Sequence, residues 1–386
     1  MNTKEMDQIY IANTYKRFPL EIVWGKGSVV RDEKGKEYID LGSGIAVTSF
    51  GVADEMWQQA VIEQLGKVQH MSNLYYTAPC AELAKMLCEA TGFKKVFFSN
   101  SGAESNECAI KACRKYAAEK HGKDCYTIVT LKNSFHGRTI TTLAATGQEH
   151  YHELFNPLTP GFLHVEAENI EELRSIVETN NVAGIMLECI QGEGGVIPLS
   201  KKYVQAVAEL ARENDVLLMV DEVQTGNGRT GELYAYMHYG IQPDIISTAK
   251  GLAGGLPLGA TLLGEKVENV FNYGDHGSTF GGNPVACAGA ISILSRIDDE
   301  LLAEVRRKSA FLFETFQNMV GVDAVTGLGL MIGIKTTKPA ADVVKACMEN
   351  GVLCLTAKDK VRLLPALNIP MGLLQQSAEI IKAACA

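Results

Sequence analysis

The middle of the chain alternates short, unbroken apolar runs with amphipathic stretches. The runs are VFFSN (96–100), YTIVTL (126–131), GFLHV (161–165), AGIMLEC (183–189), VLLMVDE (216–222), DIISTAK (244–250) and GATLLG (259–264). Runs this short, with little polar alternation, predict strands covered on both faces. Between several of them the period lengthens. In SGAESNECAIKACRKYAAEKHG the apolar positions Ala109, Ile110, Ala112, Cys113, Tyr116 and Ala117 form one helical face. NIEELRSIVETN and SKKYVQAVAELAREND follow the same period. Strands alternating with helices predict an α/β domain on a mainly parallel seven-stranded sheet.

The pattern changes after Pro284. Two helical stretches, PVACAGAISILSRI and DELLAEVRRKSAFLFETFQNMV, come first. VTGLGLMIGIKT then reads as a strand, AADVVKACMENG as a helix, VLCLTAKDKVRLLP as strands and MGLLQQSAEIIKAACA as a helix. This predicts a smaller α+β domain over 284–386, with 51–283 as the large domain and 1–50 as a segment joining the small one. Within that segment, VWGKGSVVRDEKGKEYIDLGSG reads as a hairpin turning at DEKG.

Composition narrows the function. The 386 residues carry a formal charge of −9 without a basic cluster, a poor match for nucleic acid or an anionic membrane. Ten cysteines contain no CxxC pair and read as reduced, buried small residues. The start, MNTKEMDQIYIANTYKRF, lacks the apolar core of a signal peptide, so a cytoplasmic protein is expected. No run approaches the roughly 20 apolar residues of a membrane span. His150 and His152, the one close histidine pair, lack the companions of a zinc site, so no metal is expected.

Ligands of open α/β sheets collect outside the carboxyl ends of the strands, which makes the residues there the candidates. After VFFSN, the backbone amides of Ser101, Gly102 and Ala103 open a helix and could cradle an anion, though a plain helix cap reads the same way. After YTIVTL, Phe135 could stack on a planar ring and Arg138 could grip a carboxylate. His136 beside them has no partner visible in the sequence and reads as structural. After AGIMLEC, Glu188 and Glu193 flank Gln191; a glycosidase carboxylate pair is one reading, but it leaves Lys250, Asp221 and Phe135 without a task. Asp221 ends a strongly apolar strand and needs a cation there, such as a protonated pyridine nitrogen, with Val223 against the ring and Gln224 at a ring oxygen. The next strand delivers Lys250 into a glycine-rich turn, whose glycines let the chain bend away.

A phosphate cradle, an aromatic stacker, an acid for a pyridinium and a lysine on the neighbouring strand end together meet the needs of pyridoxal 5'-phosphate (PLP). Such a lysine attacks only when neutral, and burial or nearby positive charge lowers its pKa. Released from the cofactor, it can move a substrate proton.

NTYKRFPLEIVWGKG, LGSGIAV, SNLYYT, FFSNSGAESNECAIKACRKY, SFHGRT, IQGEGGV, DEVQTGNGRTG, STAKGLAGGLPLGA, GSTFGGNP and VRLLPAL resemble, over nearly the whole chain, the class III (ornithine-type) aminotransferases of PLP fold type I. The resemblance implies an aspartate-aminotransferase-like large domain. It implies Lys250 as the lysine bonded to the cofactor, Ser101, Gly102 and Ala103 at its phosphate, and Phe135 and Val223 on its ring. Asp221 would pair with the ring nitrogen and Gln224 with the ring hydroxyl. Thr279 would reach the phosphate in the other subunit, with Ser278 near the substrate, which makes a homodimer with shared sites. Arg138 would hold the donor's α-carboxylate, Arg362 a carboxylate of 2-oxoglutarate, and Glu193 would neutralise Arg362 while an ω-amino donor is bound. NTYKRFP, GIAV and SNLYY are most similar to the branch that moves the δ-amino group of N2-acetyl-L-ornithine to 2-oxoglutarate in arginine biosynthesis; succinylornithine, ornithine, 4-aminobutyrate and a carrier-linked acetyl-lysine analogue are the alternative donors. The chain departs from the family at GVADE, where relatives often carry GHxHP, and at Cys189, where they carry proline.

Overall fold

A computed structural model describes all 386 residues. The seven apolar runs form one sheet: β1 (Lys95–Ser99), β2 (Thr127–Leu131), β3 (Phe162–Val165), β4 (Val182–Leu187), β5 (Leu217–Asp221), β6 (Ile245–Thr248) and β7 (Gly259–Leu263). Their order is β1-β7-β6-β5-β4-β2-β3. β7 runs antiparallel to both neighbours, and the other pairs are parallel. Every residue of β4, β5, β6 and β7 is buried, which is why these strands read as continuous apolar runs.

The register gathers the candidates. Asp221 pairs with Ser247, Thr248 with Ala260 and Gly259 with Ser99. The carboxyl ends of β1, β5 and β6 therefore share one edge with the start of β7. Helix α1 (Gly102–His121) leaves from that edge and lies along the sheet on its small residues Cys108, Ala109, Ala112 and Cys113. The approach is close: a Cβ on Gly184 of β4 would stand 2.5 Å from the Cys113 Sγ.

The C-terminal third builds a second core around Phe316, Ile332, Ile334, Val361 and Leu363. VTGLGLMIGIKT, expected as one strand, belongs to two: Val322–Leu328 and Met331–Thr336 form a hairpin. Gly327 (φ 125°) and Gly329 (φ 60°) supply the left-handed backbone that turns it. Lys360–Leu363 pairs beside Met331–Thr336 and carries Arg362. The DEKG turn is present, with the Asp32 carboxylate accepting from the amides of Lys34 and Lys36. The strand that follows it, Glu37–Asp40, pairs parallel with Val352–Leu353, so the N-terminal hairpin joins the C-terminal third. No helix is long and apolar enough to cross a membrane.

One segment is strained. Ser43, Gly44, Ile45 and Ala46 all have φ between 48° and 64°. Left-handed backbone is costly for a β-branched residue such as Ile45. Long-range bonds hold its entry: the Leu41 amide donates to the Leu353 carbonyl, and the Leu41 carbonyl accepts from the Leu364 amide. The turn ends at Val47, which faces the cavity described next.

Candidate active site

A cavity of about 400 Å³ opens at the carboxyl edge of β1, β5 and β6. Ser101, Gly102, Ala103, Phe135, Arg138, Asp221, Val223, Gln224 and Lys250 all line it, drawn from four separate segments.

The start of α1 forms one wall. The Ser101 hydroxyl accepts from the Glu104 amide (3.2 Å), and the Ser101 carbonyl accepts from Ser105. The Glu104 carboxylate reaches back to the Asn100 amide at 2.5 Å. Ser101 thus uses its side chain as a cap. The amides of Gly102 and Ala103 remain as the unpaired donors of the first turn, at the positive end of a 20-residue helix. Glycine is required at 102, because a Cβ there would stand 2.5 Å from the Val223 Cγ1. Gly102→Val is expected to displace Val223 and lower retention of PLP by roughly tenfold or more, as misplacement of a binding group does; absorbance of the cofactor retained after dialysis measures it.

Asp221 is buried and braced from three sides. Its Oδ1 accepts from the Val223 amide (3.0 Å), its Oδ2 accepts from the Asn106 amide group (2.7 Å), and the same Oδ2 lies 2.8 Å from the His136 Nδ1. Asn106 also donates to the His136 carbonyl (2.7 Å) and accepts from the Ser247 hydroxyl (2.5 Å). His136, expected to be merely structural, is therefore part of the site through Asp221. Its Nε2 is buried without a partner.

Glu188 braces the next two loops. One oxygen accepts from the Phe135 amide (2.9 Å) and the other from the Gly192 amide (3.2 Å). Burial pushes its carboxyl up to about 7. The Phe135 ring meets Tyr151 edge-on at 5.8 Å. Arg138 is exposed at the rim, its guanidinium 4.5 Å from the Tyr151 ring centre, and it pairs with no carboxylate. Tyr151 had no signal in the sequence: it arrives on a short turn (Glu149–Tyr151) between β2 and β3.

Lys250 was expected as the last residue of a strand. β6 instead stops at Thr248, and Lys250 takes φ 41°, which turns its side chain out of the sheet and into the cavity. Burial lowers its pKa, against the opposing pull of Glu193 and Asp221, which act through space. The glycines behind it do two different things. Gly254 (φ 63°) and Gly255 (φ 129°) turn the chain. Gly251 allows close packing: a Cβ there would stand 2.7 Å from the Ser49 Oγ, whose hydroxyl donates to the Gly251 carbonyl. Gly251→Val is expected to cost about 1–3 kcal/mol by overpacking and to shift the absorbance of bound PLP; a wild-type melting curve and spectrum would contradict both.

Glu193 and Arg362 stand outside the cavity wall and reach it through Gln224. Arg362 Nη1 donates to the Glu193 Oε1 at 2.5 Å and to the Gln224 Oε1 at 3.3 Å, while the Gln224 Nε2 donates to Glu193 at 3.4 Å. Burial would raise the Glu193 pKa, but Arg362 outweighs it and holds the carboxyl below its usual range. Ser278 and Thr279 do not line this cavity. The Ser278 hydroxyl accepts from Asn100 (3.1 Å) and the Gly281 amide (3.0 Å), and Thr279 is exposed.

The arrangement fits PLP on its own geometry: two unpaired amides at a helix start, a glycine with no room for a Cβ, a braced buried carboxylate and a lysine turned into the same cavity.

The family model for class-III aminotransferases matches residues 10–385. The acetylornithine aminotransferase of Haemophilus ducreyi is 49% identical over 380 residues, covering 98% of this chain and 97% of the relative. Among solved structures, the N-acetylornithine aminotransferase of Stenotrophomonas maltophilia superposes with a TM-score of 0.85 at 34% identity, covering 98% of this chain and 97% of the other. The ornithine aminotransferase of Toxoplasma gondii, solved with PLP at partial occupancy in its active site, gives 0.94 at 31% identity, covering 99% and 93%.

Proposed function

Because the chain belongs to the class-III aminotransferases, we propose that it moves the δ-amino group of N2-acetyl-L-ornithine to 2-oxoglutarate, giving N-acetyl-L-glutamate 5-semialdehyde and L-glutamate, as a step of arginine biosynthesis. The observation that carries this reading is the unequal state of two arginines. Arg138 stands unpaired at the rim, while Arg362 is neutralised by Glu193. A donor with one free carboxylate needs the first alone. An acceptor with two carboxylates needs both, and it competes with Glu193 for the second. The donor itself is assigned by likeness to relatives named for it, at 40–49% identity.

Bound PLP supplies an aldehyde that exchanges amines and a ring that withdraws electrons from the carbon being deprotonated. The chain supplies the rest. Gly102 and Ala103 would offer their amides to the phosphate. Asp221, fixed by Asn106 and His136, would serve the ring nitrogen and favour its protonated form. Phe135 and Val223 would confine the ring. Lys250 would hold the cofactor by its aldehyde carbon at rest and, freed when the donor amine takes its place, would accept the proton from the donor's δ carbon. Gln224 would leave its bonds to Glu193 and Arg362 to serve the ring hydroxyl.

The same proposal includes a homodimer. Leu74, Tyr75, Tyr76, Tyr273 and Phe280 are exposed large side chains on two segments, 73–76 and 273–281, which Asn73 ties by donating to the Ser278 and Gly281 carbonyls. A second copy over this face would bring Thr279 to the partner's phosphate site. The reading further takes 51–283 as the PLP-binding domain, 284–386 with 1–50 as the small domain, and the cytoplasm as location.

The test is a half-reaction. The PLP-loaded protein is mixed separately with N2-acetylornithine, succinylornithine, ornithine and 4-aminobutyrate, without an oxo acid, and the visible absorbance of the cofactor is followed. Fast loss with acetylornithine, and slower loss with the others, is expected. Fast loss with ornithine but not acetylornithine would reject the donor.

A further inference from the structure

Two buried cations outside the cavity have no task in the reaction as described. Arg229 lies in GNGRTG, on the loop that leaves Asp221 and Gln224. It is 2% exposed, and burial lowers its pKa with no acidic group opposing. Its Nη1 donates to two main-chain carbonyls, Leu330 (3.1 Å) and Pro365 (2.5 Å). Its own carbonyl accepts from the Leu330 amide at 2.9 Å. The fit has no slack, since a Cβ on Gly329 would stand 2.5 Å from the Arg229 carbonyl oxygen. Lys308, 4% exposed, gives its amine to the Leu367 carbonyl at 2.8 Å.

Both cations thus end on one segment, residues 364–367, which begins two residues after Arg362. The Leu367 amide of that segment also donates to Ser49, the residue that holds the Gly251 carbonyl. Gln224 meets the tip of the Arg362 side chain, and Arg229, five residues later on the same loop, meets the backbone three residues past Arg362. An isolated buried cation is costly, and an apolar side chain could fill either site more cheaply. A main-chain carbonyl cannot be replaced by an apolar contact without losing its direction. The bonds therefore fix position more than they add stability.

We propose that Arg229, supported by Lys308, is a positioning residue for recognition of the acceptor's second carboxylate: it locks residues 364–367 to the loop after β5 and so sets where the Arg362 guanidinium stands once it leaves Glu193. This rests on the reading of Arg362 as that carboxylate's site. The donor does not use Arg362, so the effect is confined to the acceptor.

The test uses the PLP-loaded enzyme and glutarate, a dicarboxylate without an oxo group. Calorimetry gives the glutarate Kd, and steady-state kinetics give KM for 2-oxoglutarate and for N2-acetylornithine. Arg229→Lys is expected to weaken glutarate roughly tenfold, the scale of a binding group moved by a fraction of an ångström, and to raise the 2-oxoglutarate KM in step. The donor KM stays as in wild type. Lys308→Met shifts the same two quantities in the same direction, and carries the test if the arginine variant does not fold. A lower melting temperature with an unchanged glutarate Kd, or equal rises in both KM values, would overturn the proposal. Arg362→Met, run beside them, separates the two layers: wild-type glutarate binding there would overturn the reading of Arg362 itself.

Discussion

Lys250→Ala is expected to lower turnover of N2-acetylornithine with 2-oxoglutarate by about 10⁴-fold or more, since in the proposed mechanism one substitution removes both the nucleophile that holds the cofactor and the base that moves the proton. The fold should survive. No hydrogen bond contributes to the pull on the Lys250 amine, and its pKa is lowered by burial, so removing it relieves a buried cation. The expected signature is a wild-type or higher melting temperature for the cofactor-free protein, a changed absorbance of bound PLP, and turnover near background. Retained turnover at the wild-type rate would reject the role of Lys250 outright. The same geometry fixes a pH dependence. The amine acts when neutral, so the limb on which the rate rises with pH lies below the ordinary lysine value of 10.5. Glu193 is the largest of the charges that raise the Lys250 pKa. Glu193→Gln should therefore move that limb to lower pH, and a shift to higher pH would contradict the assignment.

What the sequence made legible follows from which forces act locally. The seven strands could be read because a strand covered on both faces must be apolar at nearly every position, as in β4 and β5. Asp221 and Lys250 could be picked out because each is an unusual residue type at or just past a strand end, and Phe135 because it is an aromatic in the loop after β2. Asn106 could not. It sits in the fifth position of α1, where an asparagine looks like any polar helix residue, and its bonds to Asp221 and Ser247 span 115 and 141 residues. His136 and Glu188 were seen as residues but not as braces, because their partners come from other loops. The left-handed turn at 43–46 was illegible for the same reason: nothing in SGIA forbids a right-handed helix, and the bonds that hold its entry run from Leu41 to the distant Leu353 and Leu364. The hairpin at 322–336 is the converse case. Its glycines were in view, but their positive φ, and not their apolar neighbours, decided that the run is two strands.

Arg362→Met should separate the two substrates. The pair with Glu193 is largely buried on the arginine side, 4% exposed against 27% for the carboxylate. Truncating one member of such a pair costs about 2–5 kcal/mol, which is roughly 30-fold to several thousand-fold in affinity. Two consequences should appear together. The KM for 2-oxoglutarate rises by that factor, because its second carboxylate loses its cation. The half-reaction with N2-acetylornithine keeps most of its rate, because in the proposed mechanism Arg138, and not Arg362, holds the donor's carboxylate. Glu193 is then left without its cation, and burial, the largest influence on its pKa, pushes the carboxyl up toward its neutral form. The variant should therefore tolerate an acceptor with one carboxylate better relative to 2-oxoglutarate than the wild type does. Competition between pyruvate and 2-oxoglutarate measures this as a ratio of kcat/KM values, which a general loss of folding or of cofactor would leave unchanged. An equal fall for both oxo acids would mean that Arg362 acts on the scaffold and not on the acceptor, and the exchange of Glu193 for a substrate carboxylate would have to be abandoned.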